Sequence, residues 1–237
     1  MTRRAATAST AHEAVKAFTT RNVTLPKPVL AAVKQLDRLE AAEPVQPHPG
    51  GVAHAYLTDA DPTAAAADLI TFDARRNGWA QAAQTAAQDV LDAILTARDG
   101  LHDALRDQAV ELIDRLTAVA ALGDVSLDAL IRDGRHQDAK LLAEHHLDEA
   151  ALNGLYNVRD RYLTAPREQY GTDWATCGRW IDPRPAANAP DVVTAIRRGA
   201  TPWYPTVGEA QQAAQPITEE LQQQARQRRH AERLAGI

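Results

Sequence analysis

Trp79, Ala83, Ala86, Val90, Ile94, Ala97, Leu101, Leu105, Ala109, Leu112, Leu116 and Val119 recur at three- and four-residue steps without losing phase. They cover 40 residues in 11 steps, or 3.64 residues per step. That is the period of a straight α-helix, longer than the heptad period of about 3.5. A rod of this length extends roughly 60 Å. Its flanks, among them Gln81, Gln84, Asp92, Asp99, Asp103 and Arg106, are polar. A stripe of this kind must be buried along one side of a long helix, and the rest of the fold has to supply the cover. Gly100 is the weak point, because glycine destabilises helix interiors and favours the position after a helix end. The stripe keeps phase from Ala97 to Leu101, which favours one continuous helix over a hairpin turning at Asp99-Gly100.

Composition points the same way. The chain holds 48 alanines in 237 residues and only two phenylalanines. Alanine has the best helix propensity and buries little area, so helices form readily but need length or number to build a core. β-branched and aromatic residues are sparse outside short stretches, which argues against a sheet. The expected class is all-α: a long amphipathic helix or helical hairpin packed with shorter helices, an irregular Pro/Trp-containing arm, and a terminal helix.

Local signals divide the chain. N-terminal helices occupy 1–43, one opening near Thr10 and a second at Pro28, with Val29, Val33, Leu36 and Leu39 on its apolar face. Three prolines and two glycines between Glu43 and Gly51 make 44–60 a linker. Asp61-Pro62 caps and opens a central helical region over 61–163. Within it Gly123-Asp124 ends the long element, Ser126 caps a helix to Arg132 closed by Asp133-Gly134, and helices follow near 136–146 and 148–163. From Thr164 to Glu220 there is no leucine, but three tryptophans, two tyrosines and seven prolines. The segment 164–215 therefore reads as an arm with one short helix near Asp191 to Arg198. A last helix, rich in Gln and Arg, is expected from Pro216 or Ile217 to Leu234, within a final segment 216–237.

Few chemistries fit. There is no phosphate-binding glycine motif. His12-Glu13 is followed by Lys16 where a zinc protease needs histidine, and Glu144-His145-His146 lacks the histidine of the inverted motif. No metal or cofactor site is expected, and no catalytic residue. A pocket around Trp174, Cys177 and Trp180 is the one enzymatic alternative, though no histidine lies between His146 and His230. No apolar run approaches the ~18–20 residues that span a bilayer, so the expected location is the cytoplasm or a particle assembled there.

The remaining signals concern partners. Net charge is -5, but it is segregated: residues 57–151 carry 18 acidic and eight basic groups, while residues 221–237 carry four arginines and one glutamate. Oppositely charged regions favour association between subunits. Trp174, Trp180, Trp203 and Tyr204 are the expected partner-binding residues, since large amphipathic rings dominate interfaces. Arg226, Arg228, Arg229 and Arg233 are candidate phosphate contacts. The expected function is a non-enzymatic structural or assembly protein that self-associates or binds another structural protein, in the manner of a phage or phage-like scaffold, connector or capsid-associated component. The alternative is a DNA-binding or DNA-packaging accessory protein using the arginine-rich helix.

Overall fold

The computed structural model describes residues 6–48, 50–58, 60–165 and 177–234, with side chains to residue 230. Among them the regular structure is helical, apart from one isolated antiparallel bridge between Trp180 and Pro202. The helices are α1 (Ala8–Thr19), α2 (Lys27–Glu40), α3 (Gly51–Leu57), α4 (Pro62–Thr96), α5 (Arg98–Ala121), α6 (Leu127–Arg132), α7 (His136–Val158), α8 (Val192–Arg197) and α9 (Val207–Leu234), with a π-helical turn over Arg159–Leu163. None is long and apolar enough to cross a membrane. The all-α expectation is met.

The chain forms two compact units, Met1–Arg98 and Asp99–Ile237. The division falls inside the region the sequence treats as a single central domain. It also decides the question raised by Gly100. The helical ladder is interrupted at Ala97, whose N–H reaches both Ala93 O (3.0 Å) and Ile94 O (3.1 Å), and Gly100 lies within the first turn of α5. Two helices thus replace the expected continuous one, and the break comes three residues before the glycine. Nothing crowds the position a Cβ would take at Gly100, so its glycine meets no steric demand there.

In the first unit, α1, α2 and α3 pack on α4. Thr7 and Thr10 cap α1 reciprocally: each main-chain N–H donates to the other's hydroxyl, at 3.2 and 2.9 Å. Ala11, Ala14 and Phe18 of α1, Val29 and Leu36 of α2, and Ala86, Ala87, Val90 and Ile94 of α4 form the buried set. Trp79 Nε1 donates to Leu39 O at 2.7 Å, a carbonyl at the end of α2 that Ala42 N–H also reaches at 3.0 Å. The proline-rich stretch over 44–60 is not wholly irregular, since α3 forms within it.

In the second unit, Leu101, Leu105, Ala109, Leu112, Leu116 and Val119 are the buried side of α5. The stripe read from the sequence is therefore buried or half-buried at every position, shared between the two units. Arg115 of α5 makes a two-point contact with Asp148 of α7, at 2.9 and 2.7 Å. Ser126 caps α6 through Ala129 N–H. Gly134 closes it at φ +72°, a left-handed conformation that lets Arg135 N–H reach back to Leu130 O. The two helices expected near 136–146 and 148–163 are one, α7, prolonged by the π-helical turn. The terminal helix begins at Val207, nine residues before the expected Pro216, because Thr206 and Glu209 form a capping box. Thr206 N–H donates to Glu209 Oε2 (2.6 Å), and Glu209 N–H donates to the Thr206 hydroxyl (3.3 Å). Pro216 lies inside the helix.

Candidate functional site

The π-helical turn after α7 places a charged residue in the interior. Arg159 is 2 % exposed, and π-helical insertions of this kind concentrate at functional positions. Its Nε and Nη2 donate to Asp160 Oδ1 at 2.8 and 2.7 Å. Its Nη1 donates to Gly178 O at 2.6 Å and to Pro205 O at 3.4 Å. The guanidinium carbon lies 5.2 Å from the ring centres of both Tyr156 and Tyr204, and those rings stack 5.7 Å apart. Tyr156 donates its hydroxyl to Trp203 O (3.0 Å), and Tyr204 donates to Leu155 O (3.1 Å). Burial pushes the Tyr156 phenol up, against the opposing pull of Arg159 and Arg179.

His102 of α5 completes the cluster, with its ring 5.1 Å from that of Tyr204. It is 4 % exposed, and among the described residues neither ring nitrogen has a hydrogen-bond partner of good geometry. Desolvation holds its pKa below the ordinary histidine value; the Pro205 carbonyl works against that, while Arg106 and Arg159 add to it. Beside it, Arg106 Nε donates to Tyr204 O at 3.0 Å and Arg106 Nη2 pairs with Glu209.

The arm is thus fastened to α5 and α7 from several sides. Two main-chain bonds hold its own ends together: Ile181 N–H to Thr201 O (3.0 Å) and Trp203 N–H to Arg179 O (3.1 Å). A cleft of about 220 Å³ remains between α7 and the arm, lined in part by Asn153, Tyr156, Arg179 and Trp180. Its polar walls are engaged, since Arg179 Nη1 donates to Asn153 Oδ1 (3.4 Å) and Val192 N–H donates to Glu149 Oε1 (3.3 Å). The cleft is smaller than the roughly 300 Å³ where sites for drug-sized ligands begin. The cluster's chemistry is to lock the arm in place.

That geometry revises the aromatic reading. Tyr204, expected at a partner interface, is buried at 4 % exposure among its own chain's helices. Its hydroxyl and ring complete the Arg159 cluster, and this withdraws it from any surface a partner would meet. Trp203 is partly buried and donates its indole N–H to Cys177 O at 2.8 Å. Trp180 is half-buried at the cleft, and Trp174 lies outside the described residues. Cys177 is buried as well.

Arg226, Arg228 and Arg229 are all exposed along α9, and Arg233 lies on the same helix beyond the described side chains. The sequence reading missed one grouping. His12 of α1 stands against Asp37 and Glu40 of α2, with Nε2 2.8 Å from Glu40 Oε2 and 3.9 Å from Asp37 Oδ1. These donors could hold a metal ion. The only sequence signal was an i, i+3 acidic pair, which is common on helices; the histidine comes from 28 residues away. Comparison with family models, with curated proteins and with solved structures finds no match to this chain.

Proposed function

We propose that this chain is a non-enzymatic assembly protein, which associates with further copies of itself through the distal half of α9. The carrying observation is a stripe that continues past its cover. Ala210 and Ala214 are buried and Ile217 is half-buried, docking the first half of α9 on its own unit. The same line runs on to Leu221 and Ala225, both exposed, and residues 219–230 are exposed throughout. Arg228 follows Leu221 by seven residues and so lies on the same line. A helical segment with no tertiary cover is marginal in water, and a continued docking face is best explained by a surface that completes it.

Charge supports a second copy as that surface. The exposed arginines of α9 meet no comparable acidic excess nearby in sequence, whereas residues 57–151 carry ten more acidic than basic groups. Opposite fields of this kind speed and orient association. A structural component of a phage-like particle is one setting that suits such a chain.

The test is native mass by light scattering over a dilution series at low and high salt. A defined oligomer that dissociates with salt, and fails to form when residues 221–237 are deleted, is expected. A monomer at every concentration would refute the reading. The exposed arginines also support a second reading, DNA binding, whose distinct signature is salt-sensitive duplex binding lost on the same deletion.

A further inference from the structure

We propose that His12, Asp37 and Glu40 form a binding site for a divalent transition metal, with zinc the best match, that braces α1 against α2. Three observations lead there. The donor set is one imidazole nitrogen and two carboxylate oxygens, which suits zinc and its neighbours better than magnesium or calcium, both of which favour all-oxygen shells. The three ligating atoms lie within 4.8 Å of one another. Donors bound to one ion at ~2.0–2.2 Å sit roughly 3–3.5 Å apart, so the 2.8 and 3.9 Å separations need only small side-chain adjustment.

The scaffold is also prepared. Asp37 and Glu40 are one turn apart on α2, and His12 projects from the middle of α1. Helical backbones fix all three, so binding orders little new chain. Side-chain exposures of 40 %, 58 % and 39 % leave a side open for entry and for water to fill the remaining coordination positions. Glu40 accepts the hydrogen bond from His12 Nε2. A metal ion would take the place of that proton, which leaves to solvent, and its two positive charges would offset the two carboxylates.

The experiment uses the full chain, freed of metal by chelation and dialysis. Zinc is titrated by calorimetry and cobalt(II) by visible absorption. The site requires about one equivalent per chain, a cobalt spectrum of a nitrogen–oxygen environment, and a zinc-dependent rise in melting temperature. His12→Ala and Glu40→Gln should each weaken binding at least about tenfold while helical circular dichroism is retained, since each removes one of only three protein ligands. His136→Ala, at a histidine on α7, should bind as the parent does. The proposal is overturned if zinc and cobalt show no saturable binding up to millimolar concentrations. It is equally overturned if binding is unchanged in His12→Ala and Glu40→Gln, which would assign the metal to other surface histidines.

Discussion

Replacing Arg159 with alanine should loosen the arm's hold on the second unit more than any substitution within the arm itself. The side chain is 2 % exposed, so solvent screening does little to dilute its interactions. Its removal leaves Gly178 O without its 2.6 Å donor, strips Asp160 of a two-point partner, and takes the cation away from beside the stacked Tyr156 and Tyr204 rings. A charged hydrogen bond contributes about 1.5–3 kcal/mol. Stacking a cation on a desolvated ring contributes about 2 kcal/mol. These contributions share one side chain and do not add, and Asp160, 31 % exposed, hydrates once unpaired, so about 3 kcal/mol is expected, the lower end of what breaking a buried pair costs. That is a large part of the roughly 5–15 kcal/mol that holds a domain together.

Urea unfolding followed by tryptophan emission measures it. A Trp79→Phe background removes the first unit's tryptophan, so Trp180 and Trp203 report on the second. Arg159→Lys, which keeps charge but not the planar fork, should fall between parent and alanine. A loss below about 1 kcal/mol for Arg159→Ala would show that the cluster does not fasten the arm, contrary to the estimate above for a broken buried pair.

Two further outcomes follow from the same cluster. His102 has a folded pKa below its unfolded value of 6.5, so the unfolded chain binds more protons below that pH. Stability should be full above about pH 6.5 and decline as the pH falls toward the folded value. Asp103 opposes the effect, and Arg106 and Arg159 reinforce it. His102→Phe should flatten that part of the urea-midpoint profile from pH 5 to 8; parallel profiles for parent and variant would contradict the assignment. Thr206→Ala removes half of the capping box on α9 and should cost about 0.5–2 kcal/mol in the same assay. It should also let the Glu209 carboxyl titrate higher. Burial raises that carboxyl's pKa, and the Thr206 amide and hydroxyl together with Arg106 more than offset the rise. An unchanged Glu209 titration by NMR would count against the box.

Much of this architecture could be read one residue at a time. Asp61 before Pro62, Ser126 before α6 and Gly134 after it are caps whose chemistry acts within four residues, and each stands where the sequence indicated. Thr206-Val207-Gly208-Glu209 carries the same kind of signal, and Pro216 competes with it because proline suits a first helical turn equally well. The interruption at Ala97 is different in kind. Alanine favours helix, and the local marker, Asp99-Gly100, lies past the break within α5, so no residue at the break itself signals it.

Periodicity and capping thus determined that this chain is helical, where most helices start and stop, and which side of α4 and α5 turns inward, because those properties depend on backbone hydrogen bonding and on burial along one face. Three-dimensional packing alone decided that Tyr204 turns inward to stack on Arg159, that the long stripe serves two units, and that His12 meets Asp37 and Glu40. Each of these joins side chains dozens of residues apart or sets one helix against another, and contacts across such separations leave no spacing in the sequence to be read.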